Sequence, residues 1–364
     1  MTRKSAIALF TEHYNATHYI NFVAPFVFGH DQPQLLARSA GEVNAISNDL
    51  MIEELRREIK DHGVIAAVFS RFVTPGAETI ISFYQSHSIP TYFHLDDWLF
   101  GLPDDLGEPY RSRYGVQYGE QLEAILNQVD VVLCSSRHLS TLIERRIPGK
   151  IVRTLTGVCY QSQPSGQASL KARASRAKRK LTQWGQITIG YAGSSSHARD
   201  MQLVLPAIER LLEERSNLRF QTFGIPMPDA LQQRWGPRVS SIGYTRDYPA
   251  YLQALYELGW DIGLSPLIDD EFNRCKTATK LIEYTSCGIA SLCSDVEPYR
   301  TALGKHNTEQ LITPTGWYDA LQHWIDHPTT RQTALRNARL GAENRGAYVA
   351  GQTLIKALEP QARS

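Results

Sequence analysis

The sequence predicts an α/β protein made of two doubly wound units in tandem, and three observations carry that prediction. Its 364 residues exceed what one compact core accommodates and suit two domains of roughly 150 residues each. Short β-rich apolar runs alternate with longer amphipathic stretches, the pattern of parallel strands joined by crossover helices. A polar segment, 161–186, then divides this alternation into two halves.

In the first half the strand-like runs are AIALF (6–10), VIAAVFS (64–70), PTYFHL (90–95), DVVLCS (130–135) and KIVRTL (150–155). Each is short and dominated by apolar residues, whereas the stretches near 48–61, 76–88, 110–127 and 136–146 carry helical spacing. The second half repeats the pattern with ITIGYAG (187–193), RFQTFGI (219–225), VSSIGY (239–244), DIGLSPL (261–267) and IASLCSD (289–295). Its helices are expected near 203–214, 248–258, 277–287, 316–326 and 329–342, with Gly288 a good residue to stop the third. Domains of 1–160 and 187–342 follow, with a tail 343–364.

Composition narrows the function classes. Hydrophobic residues at 42% and charged residues at 21% describe a globular chain rather than a disordered one. No stretch approaches the roughly 20 apolar residues of a spanning helix, and the opening MTRKSAIALFTEHYN has too short an apolar run for a signal peptide. A cytoplasmic protein is expected. The five cysteines form no CxxC pair and mostly lie in apolar runs, so neither a disulfide framework nor a zinc site is indicated. A net charge of +1 argues against general nucleic-acid binding. Charge is unevenly distributed, however. No Asp or Glu occurs from Arg145 to Arg199 while eleven Lys and Arg do, six of them between 171 and 180. That zone reads either as a solvated basic linker or as a contact for anionic lipid headgroups at the inner membrane face, where each Lys or Arg contributes about 1 kcal/mol.

Ligands of open parallel sheets bind at the carboxyl ends of strands, so the loops leaving the strands are the places to search. GYAGSSSHARD (190–200) offers Gly193, Ser194 and Ser195, whose backbone N–H groups can approach an anion, with Arg199 to supply charge. An ordinary strand-to-helix turn with Asp200 near the N-cap is the alternative, and the absence of GxGxxG disfavours a nicotinamide dehydrogenase. SPLIDDEFNRCKTATKLIEYTSCG (265–288) places a charged loop before a helix starting near Thr277. Its N–H groups with Arg274, Lys276 and Lys280 suit a phosphate, against an amphipathic helix with an internal Lys280–Glu283 pair. In the first half, FHLDDWLFGLP (93–103) presents His94, Asp96 and Asp97, with Trp98 and Phe100 suited to stacking on a sugar. Adjacent residues of an extended segment point to opposite sides, so Asp96 and Asp97 are not expected to share one site. Asp96 is the better candidate for a general base. Ser135 or Ser136 is expected to cap the helix after 130–135, and the aromatic stretch 11–28 either packs on the sheet or closes over an acceptor.

The run DIGLSPLIDDEFNRCKTATKLIEYTSCGIASLCSDVEPYR (261–300) resembles the donor-binding segment of GT-B glycosyltransferases, especially the glycosyltransferase 4-like group of bacterial surface-polysaccharide synthesis. The matching pieces are the D-I-G-L-x-P-L strand, F-N-x-x-K, K-L-I-E-Y followed by C-G, and S-D-V-x-P-Y. GYAGSSSHARD resembles the same group's G-Y-x-G-S-x-x-H-x-x-D, and Trp317 falls where a late helix often carries Trp. The resemblance implies an α/β GT-B fold, two Rossmann-like domains facing a central cleft, with the tail crossing back to the first domain. It implies donor contacts from Gly193, Ser194, Ser195, Arg199, Asn273, Lys276, Thr277, Lys280 and Glu283, the last accepting hydrogen bonds from ribose hydroxyls. It also places a His or acid near the reacting sugar, which His94 and Asp96 match. Many members carry an acid eight positions before that Glu; here Cys275 stands there, with Asp269, Asp270 and Glu271 nearby as substitutes. The implied activity is sugar transfer from a nucleotide sugar to a saccharide or lipid-linked acceptor, retaining, with no metal or other cofactor required. A nucleotide-sugar epimerase or a silent sugar-nucleotide-binding scaffold would share the donor site.

Overall fold

The computed structural model describes residues 5–27, 33–106, 108–155, 167–194, 197–305, 307–343 and 346–359. Its first sheet contains β1 (Ala6–Thr11), β2 (Gln34–Ser39), β3 (Val64–Ser70), β4 (Thr91–Leu95), β5 (Val131–Cys134) and β6 (Ile151–Thr154), in the order β2-β1-β3-β4-β5-β6. The second contains β7 (Ile187–Ala192), β8 (Leu218–Phe223), β9 (Val239–Ile242), β10 (Ile262–Ser265), β11 (Ala290–Ser294) and β12 (Leu311–Ile312). Its order, β12-β11-β10-β7-β8-β9, is that of a dinucleotide-binding sheet. Every strand pair is parallel.

Parallel strands covered by helices on both faces are buried on both faces, which is why β1, β4 and β5 are fully buried, near-continuous apolar runs. One side of the first sheet packs Phe10, Phe69, Phe72 and Tyr84, with Phe10 stacked on Phe69 at 5.0 Å between centroids. The other side carries Ile7, Leu9, Val68, Tyr92 and Leu133. Leu354 and Leu358, from the helix Ala347–Ala357 and its end, join that second cluster. The Tyr92 hydroxyl donates to Leu358 O at 2.7 Å, and Arg153 donates to Glu359 O at 2.8 Å.

The structure adds elements that the sequence expectations lack, among them the short edge strand β12 and the helices Ala40–Asn44 and Asp229–Trp235, and three differences bear on the site and the surface. β2 lies in a stretch to which no strand was assigned. As an edge strand that is half-buried at best, QLLARS needs no continuous apolar run. Residues 16–27 form successive short helical segments, with a π-turn over Tyr19–Val23 just ahead of Pro25, which lacks the N–H for a regular ladder. Most important, the segment expected as a polar linker holds the helix Gln167–Thr182, which packs on the helix Tyr248–Leu258. Its fully buried Ala172 joins Tyr256 and Trp260. The Arg176 guanidinium, at 4.7 Å over the Tyr256 ring, donates to Tyr256 O at 3.2 Å, to Gly288 O at 3.0 Å and to Cys287 O. Those carbonyls sit at or just beyond helix C-termini, where a cation is favoured. Part of the basic zone is therefore spent inside the fold.

The two sheets present their carboxyl ends to each other. Ile20 of the first domain packs with Tyr248, Ile282 and Ala342 of the second, and the Tyr19 and Tyr248 rings lie 5.4 Å apart.

Candidate functional site

Between the sheets lies a cleft of about 680 Å³. Its walls are the loops leaving β1, β3 and β4 on one side and β7, β8, β9 and β10 on the other, the carboxyl ends where the strand order reverses.

The second-domain wall is built on close backbone approach. At Gly224 (φ +82°) a Cβ would lie 2.3 Å from Gly193 O, so only glycine lets the ends of β7 and β8 meet there. Gly193 and Ser194 consequently line the cleft, and Ser195 lies outside the described residues. Asp200, 1% exposed, accepts hydrogen bonds from Ile268 N and Asn273 Nδ2 at 3.0 Å each and from His197 Nδ1 at 3.1 Å. These bonds tie the loop after β10 to the loop after β7. Burial, with Lys280 nearby, pushes the His197 imidazole down to about 3, so its ring is neutral where it lines the cleft.

From that loop the helix Thr279–Ser286 starts at the cleft, bringing Lys276, Thr277, Thr279, Lys280 and Glu283 to its wall. Glu283 is 7% exposed. Its two carboxylate oxygens accept from the Tyr248 and Tyr251 hydroxyls at 2.8 and 3.0 Å, which fixes the group and leaves each oxygen a further lone pair. Burial pushes the Glu283 carboxyl up, against the two hydroxyls and Lys280. The same burial pushes Lys280 down to about 8. No hydrogen bond or ion pair reaches Lys280 Nζ among the described residues; it lies over the Tyr191 ring, 5.8 Å from the centroid. A second anion entering the cleft would therefore find a buried ammonium without a direct partner.

The first-domain wall gathers carboxylates around one guanidinium. Arg71, in the left-handed region at φ 50° just after β3, reaches Asp96 at 3.2 Å, Asp97 at 3.4 Å and Glu12 at 3.7 Å, and donates to the Tyr114 hydroxyl at 2.9 Å. Asp96 also accepts from the Thr17 hydroxyl at 2.6 Å. Burial alone would raise Asp96, but Arg71, the Thr17 hydroxyl and Lys276 outweigh it and hold the carboxyl below its ordinary range. Asp97 crosses the cleft to Lys276 Nζ at 2.9 Å.

Several expectations need correction. His94 does not face the cleft: it lies inside β4, fully buried, bonded to Ser70 Oγ at 3.0 Å and Ser135 Oγ at 2.8 Å with Phe22 edge-on at 5.0 Å. Burial pushes it down to about 4, and it acts as a neutral link between strands. Asp96 and Asp97 do share one site, because β4 ends at Leu95 and the chain bends there, removing the extended geometry that would separate them. Arg199 is absent from the cleft wall; it is paired with Asp105 and Asp270. Asn273, 1% exposed, is spent on Asp200 and Ile268 O. Arg274 turns to Asp269 at 2.7 Å. Cys275 is fully buried against the first domain's core, its carbonyl accepting from Ser136 Oγ at 2.7 Å across the domain boundary. None of Asp269, Asp270 and Glu271 lines the cleft in its place. Trp98 and Phe100 pack against the first-domain core, Arg146 covering Phe100 at 4.1 Å.

Glu12, Arg71, Arg246, Tyr248 and Tyr251 line the cleft without having been singled out from the sequence. Only the position of Arg71 and Tyr248 near strand and helix ends could have flagged them.

No protein-family model matches the chain, and no curated protein matches it. Solved structures do. Sucrose-phosphate synthase from Thermosynechococcus elongatus superposes with a TM-score of 0.65 at 12% identity, over 97% of this chain and 98% of that one. HepE of Anabaena in complex with UDP-glucose gives 0.63 at 12% identity, over 97% and 99%. The trehalose-6-phosphate synthase OtsA gives 0.62 at 11% identity, over 99% of both chains. The fold is GT-B. In GT-B terms, the Glu283 wall belongs to the C-terminal domain and the Arg71 cluster to the N-terminal one, facing each other across the interdomain cleft.

Proposed function

We propose that the protein is a glycosyltransferase that moves a sugar from a nucleotide-sugar donor to a saccharide or lipid-linked acceptor in cell-surface polysaccharide synthesis. The observation that carries this reading is Glu283, a buried carboxylate on the cleft wall, fixed by two tyrosine hydroxyls and flanked by Lys280. A carboxylate with free lone pairs suits the paired hydroxyls of a ribose. Lys276, Lys280 and the N-terminus of the helix Thr279–Ser286 suit the diphosphate that follows.

During transfer a bond forms between an acceptor oxygen and the anomeric carbon while the bond from that carbon to the phosphate oxygen breaks, its electron pair staying on the departing diphosphate, whose oxygen takes the proton that the acceptor hydroxyl loses. Preorganised positive charge stabilises that leaving group without a metal. Retention of anomeric configuration is part of the proposal, resting on the resemblance of 261–300. On the opposite wall, Asp96 and Asp97 orient the acceptor hydroxyl; the lowered proton affinity of Asp96 makes it a better hydrogen-bond acceptor than proton carrier. HepE has been solved with UDP and glucose together, and TarM with UDP, Fondaparinux and a GlcNAc-glycerol, which supports a cleft holding nucleotide and saccharide at once.

Incubation with a panel of nucleotide sugars, with and without simple saccharides, tests the reading. One donor should be hydrolysed slowly and transferred faster; failure of every nucleotide sugar to bind removes the assignment. A second reading is favoured by the burial of Cys275: a silent sugar-nucleotide-binding scaffold would bind a donor without turnover.

A further inference from the structure

We propose that the outward face of the helix Gln167–Thr182, continued by Trp184, docks on an anionic lipid bilayer surface. The inference is independent of the transferase reading. In this helix Ala172, Ser175, Arg176 and Arg179 turn toward the second domain, and Arg179 donates to Gln221 Oε1 at 2.9 Å. With 3.6 residues per turn, Leu170, Ala174, Ala177 and Leu181 fall within about 30° of one line on the opposite side, and Trp184 follows in the turn just after the helix ends. All five are exposed: Leu170 at 66%, Leu181 at 72% and Trp184 at 86%. Solvent-exposed large apolar side chains are ordinary when scattered singly, but a continuous stripe marks an interaction surface.

The flanks of the stripe identify the partner. Lys171 and Lys178 lie on one side and Arg173 on the other, all exposed and in no ion pair among the described residues. Lys180, on the Arg173 side, is already engaged with Asp261 at 2.7 Å. No acidic residue occurs on the helix or for many residues around it. A stripe of Leu and Trp bordered by Lys and Arg is the arrangement that places an amphipathic helix in the plane of a headgroup layer, with Trp at the water boundary. Pairing with a second copy would bring like charges together along both edges of the stripe, which disfavours a dimer at this face.

Co-sedimentation with vesicles of about 30% phosphatidylglycerol in phosphatidylcholine tests the proposal, since each basic residue near such a surface contributes roughly fivefold in affinity. The protein should bind these vesicles and not pure phosphatidylcholine. K171Q/R173Q/K178Q should bind about 100-fold more weakly, and L170A/L181A/W184A at least about 10-fold more weakly. Both variants replace exposed side chains and should unfold at the wild-type temperature. Vesicles should also shift the tryptophan emission to shorter wavelength in the wild type and not in W184F, a readout that needs neither triple variant. The proposal is overturned if the wild type ignores anionic vesicles, if neutral vesicles bind equally, or if the apolar variant binds as the wild type does. It is equally overturned if the wild type is a dimer that the apolar variant converts to monomer, or if the stripe serves a protein partner while vesicles are ignored.

Discussion

Replacing Glu283 by Gln keeps the volume of the side chain and removes its charge. In the structure both carboxylate oxygens accept a tyrosine hydroxyl, Tyr248 at 2.8 Å and Tyr251 at 3.0 Å. Gln offers one carbonyl, so one hydroxyl must turn to accept from the new amide, at a cost of about 1–2 kcal/mol in stability. The effect on ligand is larger. A ribose donating to a carboxylate gains about 1.5–3 kcal/mol, so nucleoside diphosphate affinity should fall roughly 10- to 100-fold. Inorganic pyrophosphate isolates the phosphate side of the site. It should bind E283Q as well as the wild type or better, because removing a carboxylate beside Lys280 removes a repulsion from the incoming anion. Calorimetric titration of both proteins with both ligands separates the two effects: nucleoside diphosphate weakened, pyrophosphate unchanged or strengthened. Unchanged nucleoside diphosphate affinity, or pyrophosphate weakened to the same degree, would refute the ribose assignment. Glu283→Ala is the poorer probe, since it leaves two hydroxyls without their acceptor at about 1–3 kcal/mol each.

Lys280 loses its proton near pH 8 in the free protein, so diphosphate affinity should be constant below that and fall up to about tenfold per unit above it; a flat profile in titrations from neutral to alkaline pH would show that Lys280 is not a ligand. Asp97 competes with the diphosphate for Lys276 at 2.9 Å, so Asp97→Asn should raise pyrophosphate affinity by about 3- to 10-fold, and a decrease in the same titration would mean the bridge preorganises the site instead. His94 has a folded pKa of about 4 against its ordinary 6.5. The unfolded chain therefore binds the extra proton between those values, and stability present above about 6.5 is lost as pH falls to about 4. In urea unfolding at several pH values, His94→Gln should flatten that loss by about 3 kcal/mol, and an unchanged slope would place the acid sensitivity elsewhere, such as at His18, a buried imidazole that desolvation also pushes down to about 4.

Most strands were legible because parallel strands buried on both faces must be apolar throughout, and VIAAVFS (64–70) matches β3 residue for residue. Lys280 and Glu283 were legible because their i, i+3 spacing on one helix carries them to one wall, and Lys276 because it lies in the loop that leads into that helix. What failed depended on contacts between distant segments. One residue at the end of β4 decided that His94 belongs to the core and Asp96 to the cleft. Arg199 and Asn273 look like ligands in any local window, and only the arrival of Asp105, Asp270 and Asp200 assigns them to holding loops together. Arg71 and Tyr248 had only their places near a strand end and a helix start as a local signal, and Tyr251 had none, since their roles arise from the meeting of three loops and of two helices. The helix Gln167–Thr182 is a different case: the stretch has no Gly or Pro and is rich in Ala, Lys and Arg, strong helix formers, yet its polarity and lack of acidic residues give it the look of a linker.

The chain passes from the first sheet to the second between β6 and the helix Gln167–Thr182, and it returns when the helix Ala347–Ala357 settles on the first sheet beside Tyr92 and Arg153. Two bodies joined at a single point can swivel in any direction, whereas two joined at two points turn only about the line through them. Such a coupling would leave one opening coordinate, and the Asp97–Lys276 and Ser136–Cys275 contacts, which both bridge the two domains, would break along it. Cutting the return passage near residue 345 should leave each sheet folded, yet let the walls of the cleft meet at many angles instead of one. Affinity for a ligand held by both walls would suffer, and affinity for pyrophosphate, held by one, would not.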